Sequence, residues 1–318
     1  MNLLSRASGP GSLAVCLAVL LWSPSGRAGE LRKASDAVHG TGGSPASTRS
    51  GSSSGSSSSG ASSGSTSSSG DASSDDGDGS PAGLVAFYLL ISPFWLPYHL
   101  VEDRQHAPGG WSVLSRPYAD GASGYLLPLS APSDDAGDGG QDTSPAVAKR
   151  PVGLQLAAEG SPPVSGVGRV QARARVITSE RIELDAAYGL YMEGPTGGGS
   201  SAWLGQSHVA VRFAQGPQVQ FRAGLGVRQW IDQQGSTLGV DGLYAADIFW
   251  GKPVTSTIEL TGGSLGSAWA FEMRATVGAA FGMGEVYAGY DATWIGPGGA
   301  GGPVAYLGGP LAGLRAYF

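Results

Sequence analysis

The sequence predicts an all-β protein: an antiparallel up-and-down transmembrane β-barrel of about ten strands, eight if two weaker runs are irregular, behind a disordered Ser/Gly-rich N-terminal region. Three observations predict it. Apolar and polar residues alternate with period two from Pro151 to the end, charges keep to one parity, and tight connections alternate with longer ones.

The order of segments follows from composition. Residues 1–28 place Arg6 before an apolar run from Leu13 to Trp22, with Gly26 and Ala28 at the −3 and −1 positions of a cleavage site, which reads as a secretory signal peptide. Cys16, the single cysteine, lies inside that run, so no disulfide or thiol-bound metal is expected in the mature chain. Residues 29–80 are a Ser/Gly-rich linker with an acidic patch at Asp71, Asp75, Asp76 and Asp78, and 129–150 form a second flexible linker.

Between the linkers, residues 81–128 form an apolar-aromatic periplasmic segment. Its first part, AGLVAFYLLISPFWLPYHLV (82–101), is long and apolar enough for a membrane span, yet Pro93 and Pro97 and the need to travel on to an outer membrane favour a packed or interfacial segment. Its second part, with Trp111, Tyr118 and Tyr125 among turn residues, reads as a small module that caps a barrel mouth or packs on a strand end.

The barrel is assigned to residues 151–318. In GRVQARARV (168–176), Arg169, Gln171, Arg173 and Arg175 alternate with Val170, Ala172, Ala174 and Val176, so a strand there has one apolar and one basic face. The same split recurs through the later runs. The polar parity carries Arg169, Arg173, Arg175, Arg181, Arg212, Arg222, Arg228, Arg274 and Arg315 against Glu183, Asp185, Asp241, Asp247, Glu259, Glu272, Glu285 and Asp291. Nine cations against eight anions suit a filled, salt-bridged lumen, because an unpaired buried charge is costly.

Tight connections are expected at 178–179, 216–217, 251–253 and 282–284, and longer ones at 194–204, 230–237, 261–266 and 296–308. That layout places the tight turns in the periplasm and the loops outside. Phe213, Trp250, Trp269, Trp294 and Phe318 share the lipid parity near strand ends, where an aromatic girdle belongs.

The terminal strand GPLAGLRAYF, closing on Phe318, resembles the assembly signal of bacterial outer-membrane β-barrel proteins, although Ala316 stands where many barrels have a larger residue. Together with "YADG", "FRAGLGVRQW" and "LYAGYDATWIG", the chain is similar to an uncharacterised group of small exported barrels. The resemblance implies a bilayer around the barrel and an outer-membrane assembly machinery that reads the last strand. It implies location and fold more than activity, with the N-terminal region in the periplasm.

Chemistry-bearing motifs are sparse. HExxH and a phosphate loop are missing, and 151–318 carry ten Lys/Arg against twelve Asp/Glu, which leaves no basic patch for nucleic acid. His208 follows Ser207 on the lumen parity and lies within reach of Asp241 or Asp291, a conceivable hydrolase site at an outer rim. A place in the lumenal hydrogen-bond network explains it as well. Neither cofactor nor metal is expected. The sequence therefore favours a non-enzymatic barrel of structural or passive role with a charge-paired lumen. A small pore or transport protein, and a hydrolase near His208, are the alternatives.

Overall fold

The computed structural model describes residues 29–41, 111–119, 122–128, 150–163, 166–194, 199–299 and 302–318. Residues 1–28, expected as a signal peptide, the Ser/Gly tract from 42 onward, residues 82–101 and most of 129–150 lie outside them.

Ten strands close on themselves. β3 (Val152–Ser161), β4 (Val167–Thr178), β5 (Ile182–Glu193), β6 (Ser201–Gln215), β7 (Val219–Asp232), β8 (Gly235–Gly251), β9 (Val254–Leu265), β10 (Ala268–Phe281), β11 (Gly284–Pro297) and β12 (Ala305–Tyr317) pair antiparallel in chain order. β12 returns to β3, with Arg315 opposite Ala157 and Tyr317 opposite Gln155. The runs at 152–160 and 253–260 are regular strands, so the count is ten. Phe318 continues the seam, its N–H donating to the Leu154 carbonyl at 2.8 Å.

The barrel is inside-out relative to a water-soluble one. Arg212 and Arg228 are fully buried, while Leu225, Leu238 and Val240 are 73, 65 and 65% exposed. Alternation forces this, since one face of each strand must point into the lumen.

Aromatic side chains gather outside at two heights. Tyr188 stacks on Trp203 and Trp294 lies between Phe271 and Tyr306 at one height; Phe213, Phe221 and Tyr244 cluster at the other, with Trp250, Phe281 and Phe318 near the same strand ends. Phe271 and Phe281 are ten residues apart on β10, about 25 Å along the axis at the usual rise and tilt. β6 and β8 carry register shifts at Phe213 and Trp250, which place an extra residue at that rim.

Three expectations change. The connections expected to be long at 230–237 and 261–266 are tight: β7 and β8 stay paired until Asp232 faces Gly235, and β9 and β10 until Leu265 faces Ala268. Polar and small residues there continue the ladder instead of leaving it. Arg181 lies in the turn between β4 and β5 with φ 68°, where its guanidinium donates to the Arg212 carbonyl. The linker expected over 29–80 begins with a helix, α1 (Glu30–His39).

α1 packs into the mouth formed by the ends of β5, β7 and β12 and the β9–β10 turn. Leu31, Ala34 and Val38, at i, i+3 and i+7, are buried on its inner side. They join Tyr191, Leu204, Trp230, Leu265, Ile295 and Leu307 in one apolar cluster. A ten-residue helix is marginal alone, so this packing and caps from the barrel hold it. Glu193 accepts the Leu31 N–H at 3.1 Å, and the Ser267 hydroxyl donates to the Ala37 and Val38 carbonyls at 2.7 and 2.9 Å. His39 meets Asp232 at 3.1 Å.

The opposite mouth is covered by a two-stranded sheet, β1 (Trp111–Val113) with β2 (Leu126–Pro128). Trp111, Val113, Tyr125 and Leu126 pack with Ile177 and Phe249, and the Val113 N–H donates to the Arg150 carbonyl at 3.1 Å. The module expected to cap a mouth is thus a hairpin beneath the barrel.

Candidate functional site

The charged residues that the alternation aims inward meet in tiers between the two covers. Nearest α1, Arg169 bridges Asp291 at 2.9 Å and Glu159 at 3.2 Å. Glu159 also pairs with Arg274 and accepts the Tyr287 hydroxyl at 2.9 Å. At a similar height Arg228 pairs with Asp241 at 2.9 Å and approaches Glu272 at 3.6 Å.

In the middle tier Arg173 spans Glu259 at 2.5 Å and Asp185 at 3.5 Å, and Arg222 reaches Glu259 at 3.4 Å. A cavity of about 30 Å³ lies among Arg173, Arg222, Thr257, Glu259 and Arg274, room for one or two waters. Lower down, Asp247 takes Arg222 at 2.7 Å and Arg175 at 2.8 Å. Arg315 pairs with Glu285 at 3.2 Å near the base.

Glu183 resolves a conflict in the register. Arg212 and Arg222 stand directly opposite each other on β6 and β7, and like charges so placed repel. The Glu183 carboxylate lies between them, 3.0 Å from Arg212 and 3.7 Å from Arg222, and 2.7 Å from Arg175.

The hairpin closes the stack from below. The Tyr125 hydroxyl donates to Asp247 at 3.1 Å and accepts from Arg175 at 2.8 Å. Burial pushes the Tyr125 phenol well above its ordinary range; the Arg175 guanidinium opposes this and the Asp247 carboxylate adds to it. Tyr125 therefore acts as a neutral donor.

Of the seventeen expected lumen residues, sixteen lie inside; Arg181 alone falls in a turn. Glu159 was not anticipated, nor were Glu193 on β5 and Asp232 on β7, which hold α1; with them the inward set is eight Arg and eleven acids. The signal for Glu159 was the parity it shares with Gln155 and Ala157 on β3, weakened by the small residues around it.

His208 is brought to Asp241, with Nε2 3.1 Å from Oδ2, and not to Asp291. The same oxygen takes Arg228, and both side chains are shielded from solvent. Gly226, opposite His208, explains the fit: a Cβ there would lie 2.0 Å from the Ser207 carbonyl oxygen and 2.6 Å from the imidazole ring. Among the described residues no three His, Cys, Asp or Glu side chains are grouped to hold a metal ion.

No family model matches the chain, and no curated protein matches it. Among solved structures the chain is similar to the β domain of the Bordetella autotransporter BrkA, at 14% identity and a TM-score of 0.29, over 52% of this chain and 98% of that one.

Proposed function

We propose that the chain is an outer-membrane β-barrel of structural role whose lumen is filled by ion pairs and closed at both mouths. One observation carries the reading: the wall turns Leu225, Val240 and Trp250 outward and buries its arginines and carboxylates. In water that arrangement would expose the greasy face and spend charge desolvation for nothing; in a bilayer each face meets its proper solvent. The two aromatic heights, about 25 Å apart, match the interfaces of such a band.

The connections at the hairpin end are all short, and those of five or more residues are at the α1 end, so the hairpin end faces the periplasm and α1, part of the N-terminal region expected in the periplasm, is at the outer mouth instead. The exposed Phe318 on the last strand is where the assembly machinery would read the chain. A passive role fits the tiers better than a pore does, because arginines and carboxylates pair across the bore and the cavity among Arg173, Arg222 and Glu259 is about 30 Å³. A hydrolase site at His208 is disfavoured by the same packing: its imidazole lies under α1 and shares its carboxylate with Arg228.

The test is expression of the full chain, followed by fractionation, heat-modifiable migration in detergent gels and planar-bilayer recording. We expect outer-membrane recovery, a compact unboiled band and no steady conductance. Recovery as a soluble periplasmic monomer would overturn the membrane reading, and reproducible single-channel steps would overturn the filled lumen.

A further inference from the structure

We infer that the wall carries a lateral notch at its closing seam, near the α1 end, and that the notch takes a hydroxyl of an outer-leaflet lipid whose head group is a sugar. This rests on the membrane-spanning reading above. The ladder stops short there: β12 pairs with β11 as far as Ala305, opposite Ile295, but with β3 only from Ala312, opposite Gly160. β3 itself ends at Ser161, opposite Arg169 on β4. Beyond that level Ser161, Pro162 and Pro163 stand between β12 and the start of β4.

The stretch is built to do without ladder bonds. Phe318 donates to the Leu154 carbonyl, so alternate residues counted back from it direct their backbone toward β3. Pro310 is one of them, and it has no N–H to leave unpaired in hydrocarbon. Tyr306 is another, and the Glu30 carboxylate of α1 takes its N–H at 3.0 Å. The facing strand end contributes two prolines, which likewise bring no donor. Gly309 keeps this seam thin, since a Cβ there would lie 3.0 Å from the Ser161 hydroxyl oxygen.

Behind the seam lies a cavity of about 10 Å³, bordered by Ser161, Gly308 and Gly309, with Arg169 and Asp291 lining it from the lumen side. It has room for one water-sized group. Both charged side chains are buried, and each keeps one atom without a hydrogen-bond partner among the described residues: the Arg169 Nε–H, a donor, and Asp291 Oδ2, an acceptor. Their own ion pair uses Nη1 and Oδ1. A hydroxyl answers both orphans, because it accepts from the guanidinium and donates to the carboxylate. An ammonium would serve only the carboxylate, and a phosphate oxygen only the guanidinium.

The outer side of the notch fits the same ligand. Gly308 has no Cβ, and one would lie 2.5 Å from the Tyr306 phenol oxygen, so that ring lies across the strand at this point. Its hydroxyl meets that of Tyr290 at 2.9 Å. Two phenols outside and two charged groups inside therefore flank a pair of glycines, and a polyol finds partners on both sides. The height is that of head groups: Asp291 and Gly309 pair three residues from Trp294 and Tyr306, which belong to the aromatic belt on the α1 side.

The experiment reconstitutes the full chain into phosphatidylcholine vesicles with a minor share of digalactosyl diacylglycerol. After flotation the barrel is extracted in mild detergent, and the lipids it retains are counted by mass spectrometry. A chain that does not float with the vesicles fails the membrane reading, and this inference with it. In a floated barrel the galactolipid should be retained about tenfold above its share of the bilayer, the factor that one or two net hydrogen bonds supply. Gly309→Ala, which places a methyl in the cavity, should return that ratio to the bulk value while the heat-modifiable band persists. Asp291→Asn, which exchanges the free acceptor for a donor and still offers Arg169 an oxygen, should do the same. Retention at the bulk ratio in the native chain, or enrichment that survives both substitutions, overturns the inference and leaves water as the occupant. Release of the galactolipid by excess free galactose would assign the notch to a soluble sugar and overturn the lipid source.

Discussion

At the scale of single residues, the environment on each side of the wall determines the sign of a substitution. Leu225 sits mid-strand on β7 with its side chain outward. In a water-soluble protein, Leu→Arg at so exposed a position would fall within about 0.5 kcal/mol of neutral. In lipid, Leu225→Arg should cost about 2–4 kcal/mol, and Val152→Arg at the hairpin rim about 0–1 kcal/mol. Urea unfolding from liposomes measures both, and equal small effects would contradict the bilayer. Inside the wall the logic reverses. Glu183 neutralises three arginines, two of them directly opposed, so Glu183→Gln leaves uncompensated buried charge and should lose about 3–5 kcal/mol. The same unfolding series reads it, and a loss under 1 kcal/mol would mean that the guanidiniums find other partners.

At the scale of elements, α1 behaves as a docked ligand of the barrel. Its termini are capped by barrel side chains, and its binding depends on Leu31 and Val38, each worth about 1.5–3 kcal/mol when buried. Leu31→Asp with Val38→Asp should release it, so that trypsin cuts at the exposed Arg32 at least tenfold faster while the barrel keeps its heat-modifiable band. Unchanged cleavage would show that the caps alone suffice. The ten strands were legible because alternation is a local signal that a barrel wall repeats along nearly all of each strand, broken only at the bulges by Phe213 and Trp250, and sixteen inward charges follow from it. Arg181 misled because parity extends one residue beyond the strand, into a turn where φ is positive. α1 was missed because ELRKASDAVH is short and polar. Its apolar stripe of Leu31, Ala34 and Val38 gains meaning only from Trp230 and Leu265, which lie far along the chain. The tight turns at Gln233-Gln234 and Gly266-Ser267 were hidden likewise, since polar residues mark a loop and a water-facing strand end equally well.

At the scale of the whole molecule, the closures stand in series, and series barriers set how the barrel responds to damage. The apolar tier under α1, the Arg173–Glu259–Arg222 tier and the hairpin each block the same axis. Ion flow through such a stack is limited by the tightest block, so removing one leaves the others in control. Deleting residues 29–41 alone, or replacing Trp111, Tyr125 and Leu126 with Ser alone, should leave planar-bilayer recordings at the baseline of the intact chain. Arg173→Ala, Glu259→Ala and Arg222→Ala together remove three long side chains around the existing cavity without shifting net charge by more than one unit. Those three changes should also remain silent while both covers are present. Only their combination with loss of α1 and of the hairpin packing should produce ohmic steps. Such steps from the α1 deletion alone would show that the ion-paired tiers admit hydrated ions and that the helix is the gate.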